Sequence, residues 1–590
     1  MTTLALTLQL VQLSSRLGLT LETGHEVQSL GTALQTAYPR GLHHLGLEEE
    51  HRTTLEAVRA GTTEELDRLV PALESLVARE SRRPLATLPA VRLSAPVLKR
   101  NLLLPPQGGA CVRTSEGQIL IGVKPWVNKW MVQSYWGAGG DGIARDRVRH
   151  EIPTYHVFDE EFSGPAGLFP LDFIGYMGFP VKDTVFTIIA EDAAQAGRIV
   201  RYLDWSYLGD RSEGLNEKIR AEYPEDSWSV PDMTAEMTLG FATPPPETLR
   251  TVPHLDEQRS YRIGGVTIRK TGSQIYHLED RGVSLGTINL RHFPPRPPQR
   301  SLSSAARGCR EGLLREVLKG RPGLWPFGTS DGWDPRGTTS GFMIWNGGRF
   351  LLIDPPSHTL EYLEEVGIPL DLIAGVLVTH GHSDHYGDAI PQLVRARPDL
   401  KLYTTPTIYE MLADQYALAI GRDDFRRWTF EPLRCQTPVS INGMEFRFDY
   451  TFHTVPTIGF EIGNGGNLVL YFSGDTYADA DGLQKILDDA PEGTEIMSFF
   501  RALSVLRHGM FLYLGGLQDT PPVILMEGGI PPIHTPPAST RALLRAARED
   551  GLDVSRFFLY HLSAKKARRE KVPKLREGHE GWIDLSDYYL

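Results

Sequence analysis

Between Gly375 and Asp388 the chain reads GVLVTHGHSDHYGD, an apolar run that ends in His380, His382, Asp384, His385 and Asp388. A core strand has no use for such an ending, and a solvated loop is seldom so poor in Lys, Ser and Glu. Imidazoles and carboxylates are the side chains that ligate divalent metals and move protons near neutral pH.

The same ending recurs downstream. GGRFLLID stops at Asp354, FRFDYTFH at His453, LVLYFSGD at Asp475 and RFFLYH at His561, while VILMEGG carries Glu527. Strand ends gathered along one edge of a sheet make a site. Side chains of this kind would repel or desolvate one another there unless something cationic sat between them. A pair of divalent metals meets that need. In an H-x-H-x-D-H loop alternate side chains diverge, so His380 and His382 are expected to grip one ion while Asp384 and His385 turn toward another. His453 would complete the first site, Asp475 would bridge both ions, and His561 would complete the second. Imidazole with carboxylate suits zinc first, with manganese or iron as further options. Two ions about 3.5–4 Å apart would share a water and lower its pKa toward about 7. The bland reading is a run of solvated polar residues. With 18 histidines in 590 residues, chance produces this pattern on the order of once in a thousand such chains.

The elements that must position these residues follow from periodicity. The last 270 or so residues alternate apolar β runs with helical patterns, as in an α/β layered domain. The stretch from Thr2 to about Arg83 reads as helical: in TTEELDRLVPALESLVARE, Leu66, Leu69, Val70, Leu73 and Leu76 recur at helical spacing. Between them lie β-like runs (QILIGV, TVFTIIA), a helical AAQAGRIVRYLDWSYL, strands and tight turns in YRIGGVTIRKTGSQIYHL, and a helix around Ser304 to Leu318. Pro-rich breaks at Thr243 to Thr248 and Phe293 to Arg300 read as extended connectors.

The composition is that of an ordinary globular protein, with 41% hydrophobic and 23% charged residues. A net charge of -12 argues against bulk attraction to nucleic acid or an anionic membrane. Cys111, Cys309 and Cys435 lie far apart without CxxC spacing, which excludes a disulfide scaffold and a thiolate zinc site and suits the cytoplasm. The N-terminus MTTLALTLQLVQLSSRLGL has no basic start and no clean cleavage site, so it is expected to be an amphipathic helix rather than a signal peptide. No apolar segment approaches the roughly 18 residues of a membrane span.

At the residues that carry the chemistry, the chain resembles the metallo-β-lactamase-fold superfamily, over about Arg321 to Leu590. THGHSDH matches the signature loop, and Asp354, His453, Asp475 and His561 fall in the family's order. The resemblance implies an αββα sandwich with the metals at one edge. It gives Asp354 a supporting part, orienting the loop rather than binding metal. Within the superfamily, HTVPTIGFEIGNGGNLVLYFSGDT is similar to the ribonuclease Z and phosphodiesterase branch. There a histidine precedes a G-[FY]-x-[IV] strand and then SGDT, and the bridging aspartate separates that branch from true β-lactamases. The branch also carries a Glu followed by a His-x-Thr-type loop whose His protonates the leaving oxygen. MEGGIPPIHTPPASTRALLRAA offers Glu527 and His534 for this, with two departures: a glycine follows Glu527, and Thr535 and Pro536 follow His534. The basic Gly/Pro-rich arm with which ribonuclease Z grips tRNA has no counterpart here.

The expected fold class is therefore α/β, an αββα metallo-β-lactamase-type sandwich at the C-terminus behind helical and mixed α+β N-terminal domains. The expected divisions are a helical region at 1–90, a mixed α/β domain of unassigned role at 91–245, a β-containing connector at 246–320 and the hydrolase domain at 321–590. Weaker signals stay structural. Trp126, Trp130, Tyr135 and Trp136, interleaved with Lys124 and Lys129, could stack on bases, but core or domain-interface packing is the expectation. GAGGDG lacks the Lys-Ser/Thr of a P-loop and reads as a turn. His43, His44 and His508 are expected to be surface groups rather than ligands.

Together these readings describe a dinuclear metallohydrolase that cleaves a phosphodiester: a cyclic nucleotide, a small phosphodiester or a nucleic-acid end. Asp384 belongs to both the ligand set and the catalytic set, and His534 with Glu527 donates the proton. The expected partner is a small-molecule or nucleotide phosphodiester, with no membrane partner, no bulk nucleic acid, and a homodimer left open. The N-terminal domains would choose or present the substrate. The alternatives are thioester, lactone or lactam hydrolysis on the same metals, a non-catalytic sensor module, and a mononuclear iron oxygenase of this fold.

Overall fold

The computed structural model describes residues 48–60, 69, 71–72, 102–103, 108–122, 153–164, 167–169, 171, 186–208, 214–227, 230–234, 236, 251–294, 320–332, 338–357, 359–387, 389–479, 482, 520–529, 534–576 and 582–588. The tryptophan-rich stretch 124–142, the Pro-rich segment 243–248, most of that at 293–300, the helix expected at 304–318, most of 62–83, and His43, His44 and His508 lie outside them. Among the described residues no helix is long and apolar enough to cross a membrane.

The chain divides into two compact units, Met1–Leu93 and Ser94–Leu590. In the first, the helix Glu49–Arg59 places Glu49 and Glu50 in its first turn, where the helix dipole favours negative charge, and buries Leu55 and Val58.

The second unit opens with β1 (Leu102–Leu103), β2 (Ala110–Thr114), β3 (Gly117–Ile121), β4 (Thr154–Val157) and β5 (Phe186–Ile189), which pair in that order as a five-stranded sheet. The pairing is antiparallel up to β3 and parallel from β3 to β5. Helix Ala193–Leu208 follows and buries Ile199, Tyr202 and Leu203, as its helical period requires. A four-stranded meander comes next: β6 (Ser260–Ile263), β7 (Val266–Gly272), β8 (Ile275–Asp280) and β9 (Val283–Asn289). Lys270 on β7 is buried, with Nζ 3.1 Å from Asp159 Oδ2 and 2.5 Å from Glu191 Oε1, and Tyr276 on β8 donates to Asp159 Oδ2 at 2.6 Å. Breaking such a buried pair by removing one partner is strongly destabilising.

The remaining strands are β10 (Gly323–Gly328), β11 (Gly341–Asn346), β12 (Arg349–Ile353), β13 (Ile373–Leu377), β14 (Lys401–Thr404), β15 (Thr429–Pro432), β16 (Val439–Ile441), β17 (Met444–Thr451), β18 (Thr457–Asn464), β19 (Asn467–Phe472), β20 (Val523–Glu527), β21 (Phe557–Tyr560) and β22 (Ile583–Asp584). One sheet has the order β15-β14-β13-β12-β11-β10-β22 and the other β16-β17-β18-β19-β20-β21. Where the connection is a helix, as at Thr359–Val366, Ala389–Ala396, Pro406–Ile420 and Pro537–Glu549, the strands it joins run parallel. Such strands are covered on both faces, so FLLI, GVL and VILM are continuous apolar runs. Antiparallel β17 instead alternates, burying Met444, Phe446, Phe448 and Tyr450 and exposing Glu445 and Arg447.

The two sheets meet face to face. Phe342 on β11 packs edge-on to Phe472 on β19 and Tyr560 on β21, with ring centroids 5.2 and 5.3 Å away. On the outer face of the second sheet, Leu544 and Ala547 of helix Pro537–Glu549 cover Tyr471, Ile524, Met526, Phe557 and Leu559. Leu363 and Leu393, from helices Thr359–Val366 and Ala389–Ala396, belong to the core around the first sheet. The layers are thus helix, sheet, sheet, helix, the αββα sandwich anticipated from the sequence.

Candidate metal centre

The acidic and histidine residues lie just beyond strands of both sheets. Asp354 follows β12. His380 and His382 lie in the loop after β13, and Asp384 and His385 ride on the single helical turn Ser383–Tyr386. His453, Asp475 and His561 follow β17, β19 and β21, Glu527 ends β20, and His534 lies past it. Asp475 owes its position to the preceding turn. Gly474 has φ +62, and a Cβ there would lie 2.5 Å from Ile458 O.

All of these side chains are brought together. His380, His382 and His453 form one group whose ligating atoms lie within 4.8 Å of one another; so do Asp384, His385 and His561. His380, His385 and Asp475 make a third such group, and Asp475, Glu527, His534 and His561 a fourth. His382 Nδ1 is 3.1 Å from His380 Nε2 and 3.2 Å from His453 Nε2. Asp475 Oδ2 stands among both sets, 3.2 Å from His385 Nε2, 3.6 Å from His561 Nε2 and 3.9 Å from His380 Nε2. His380 and His385 have ring centroids only 4.1 Å apart, so the two imidazole sets are less separated than simple divergence along the loop suggests.

The groups behind the cluster are equally ordered. Asp354, with φ +45, accepts from Thr379 N at 2.8 Å and Thr379 Oγ1 at 2.7 Å, and its Oδ2 lies 3.0 Å from His385 Nδ1. That contact leaves His385 Nε2 to face the cluster. Glu527 accepts from Thr535 N at 2.6 Å through Oε1, while its Oε2 lies 3.1 Å from His534 Nδ1. Thr379 follows the apolar run that sequence reasoning singled out. Ser473, whose Oγ accepts from Glu527 N at 2.9 Å, carried no signal beyond its place in SGD.

Electrostatics show what the cluster requires. Burial pushes His380 and His453 well below the ordinary histidine range and His382 down to about 4. Burial also acts against charge on His385 and His561, yet Asp475 and Asp384 outweigh it: His385 is raised well above its usual value and His561 to about 9. Asp384 and Asp475 are held well below the carboxylate range by the neighbouring histidines, despite burial. The carboxylates therefore demand positive charge at the His385 and His561 positions. Asp475 Oδ1 and His561 Nδ1 are buried without a hydrogen-bond partner, at a cost of about 1–3 kcal/mol each. Imidazoles and carboxylates with orphaned atoms of this kind fit divalent cations.

The family described as Anti-Pycsar protein Apyc1 matches residues 323–497. The cGMP-dependent 3′,5′-cGMP phosphodiesterase A of Dictyostelium discoideum is 34% identical over 244 residues, which is 41% of this chain and 26% of that protein. The cAMP/cGMP-dependent 3′,5′-cAMP/cGMP phosphodiesterase B of the same organism is 28% identical over 245 residues, 41% of this chain and 20% of that protein. The chain thus matches only about a fifth to a quarter of the length of these relatives. Among solved structures, the metallo-β-lactamase-fold protein YhfI from Bacillus subtilis is 16% identical with a TM-score of 0.30, covering 43% of this chain and 93% of that one. Human tRNase Z, short form, is 14% identical with a TM-score of 0.29, covering 45% and 99%. The C-terminal half of this chain is an αββα sandwich, and 41% of the chain is similar in sequence to two cyclic-nucleotide phosphodiesterases.

Proposed function

We propose that the chain is a metal-dependent hydrolase that cleaves a phosphodiester, with a 3′,5′-cyclic nucleotide as the substrate class and a pair of divalent ions, zinc first, as its cofactor. The observation that carries the reading is the position of Asp475, within 3.9 Å of His380 on one side and of His385 and His561 on the other. His380, His382 and His453 would hold one ion, Asp384, His385 and His561 the other, and Asp475 both. When bound, such ions lower the pKa of water and neutralise charge developing on phosphoryl oxygens.

The chain's own residues supply the rest. Asp354 fixes the ring of His385 through Nδ1 and anchors the loop through Thr379. Glu527 holds His534 through Nδ1, which leaves His534 Nε2 as the atom that carries a proton to the departing oxygen. His380, His382, His385, His453, Asp475 and His561 are almost fully buried, which strengthens their electrostatic hold on an ion placed among them. The names of the relatives, phosphodiesterases acting on 3′,5′-cGMP and cAMP, support the substrate class. Three cysteines without pairing spacing fit a reducing compartment such as the cytoplasm.

Metal analysis of the purified chain, followed by assay on cGMP, cAMP and bis(p-nitrophenyl) phosphate, tests the proposal. Two divalent ions per chain with turnover of a cyclic nucleotide are expected. Metal-loaded protein that cleaves a thioester or lactone and leaves all three phosphodiesters intact overturns it.

A further inference from the structure

The helix Pro406–Ile420 is held at both ends by residues from the N-terminal part of its unit. At the start, Glu222 Oε1 accepts from Thr407 N at 2.6 Å and Glu222 Oε2 accepts from Tyr450 OH at 2.6 Å. The Glu222 carbonyl takes the Cys435 N–H at 2.9 Å. At the other end, Leu168 N–H donates to Ala419 O at 3.0 Å, satisfying a carbonyl that the last turn leaves without an intrahelical donor.

Between these anchors the helix points Gln415 at the histidine loop. Gln415 is fully buried; its Oε1 accepts from Tyr386 OH at 2.8 Å, and its Nε2 has no hydrogen-bond partner. A Cβ on Gly381 would lie 2.6 Å from Gln415 Oε1, so the loop runs directly against the carboxamide. Gly381 separates His380 from His382, and Tyr386 is the neighbour of His385. Phe169 stands edge-on to Tyr386 at 84°, with ring centroids 5.0 Å apart, and Tyr202 packs on Phe169 at 6.0 Å. Phe169 and Tyr202 are fully buried and Tyr386 almost so.

We propose that Phe169, Tyr386 and Gln415 form a brace that positions the histidine loop. Leu168, Phe169, Tyr202 and Glu222 then serve as a structural part of the metal centre rather than as parts of a detached module. The proposal rests on the metal reading above. A ring in contact with the neighbour of one ligand, and an amide against the glycine between two others, act on the loop's orientation. They are positioning residues and touch no reacting atom.

The test uses the full chain with Phe169→Ala, Phe169→Leu, Gln415→Met and, as a control in the meander core, Val266→Ala. Zinc affinity by chelator competition, the absorption bands of the cobalt-substituted protein, kcat and KM on cGMP, and the thermal midpoint are measured on each. Expected are zinc binding weakened by about 10–100-fold, shifted cobalt bands and a fall in kcat with little change in KM for Phe169→Ala and Gln415→Met. Phe169→Leu should restore most of these, and Val266→Ala should lower the thermal midpoint without altering the cobalt bands. Wild-type zinc affinity and cobalt bands in both Phe169→Ala and Gln415→Met overturn the brace, as does an equal spectral shift in Val266→Ala. Should Phe169→Ala fail to fold, Gln415→Met, which keeps the helix and the side-chain length, decides alone. Absence of phosphodiester turnover in the wild-type chain would defeat the proposed substrate, while zinc affinity and the cobalt bands would still judge the brace.

Discussion

His534 Nδ1 lies 3.1 Å from Glu527 Oε2, and the same ring is 3.6 Å from Asp475 Oδ2. A histidine tied to a carboxylate on one nitrogen and set beside the cluster is placed to hand a proton to a departing alkoxide. His534→Ala should therefore lower kcat on cGMP by about 10²–10⁴. It should act only weakly on bis(p-nitrophenyl) phosphate, whose leaving group departs without a proton. Equal losses on the two substrates would show that His534 does something else.

Asp475→Asn removes the negative charge that faces His380, His385, His534 and His561. The variant should retain less than one full pair of metals by elemental analysis and lose cyclic-nucleotide turnover. Stripping the wild-type chain with a chelator should have the same effect on activity and should lower stability, by about 2.7 kcal/mol for each ion lost relative to protein at a metal concentration 100 times Kd. Re-addition of zinc should reverse both.

Asp354→Asn keeps the shape of the side chain but weakens its hold on Thr379 and His385. Metal affinity should drop by about 10–100-fold while the fold persists, as circular dichroism would show. A variant that binds metal as tightly as the parent would remove Asp354 from any part in the site.

His156, on β4 and far in sequence from the metal residues, is buried and has its pKa lowered by that burial from 6.5 to about 3. Between those values the unfolded chain takes up a proton that the native state refuses. Stability is thus lost as pH falls from about 6.5 toward 3, at a limiting slope of about 1.4 kcal/mol per pH unit. Denaturant titrations of the parent and of His156→Leu should diverge in the variant's favour as the solution is acidified. Parallel curves would mean that His156 charges without hindrance.

The polar side chains of the cluster were legible because each follows a strongly apolar strand, and period-two or continuous hydrophobicity marks where such strands stop. The loop around His380 is local, so its spacing alone suggested metal. What supports the cluster was not legible. Gln415 sits in a helix whose pattern is ordinary, and only the fold brings it against Gly381. Lys270 looks like any strand lysine until Asp159 and Glu191, both remote in sequence, enclose it. Phe169 lies in a short turn with no periodicity to interpret. Such contacts depend on how layers dock, and no local pattern encodes that.

Asp354, His380, His382, Asp384 and His385 hang from one sheet, whereas His453, Asp475, Glu527 and His561 hang from the other. The cluster therefore straddles the seam of the sandwich and is incomplete in either half alone. An ion held by a full set of these side chains would act as a rivet through both sheets, its grip completed only once the halves have closed.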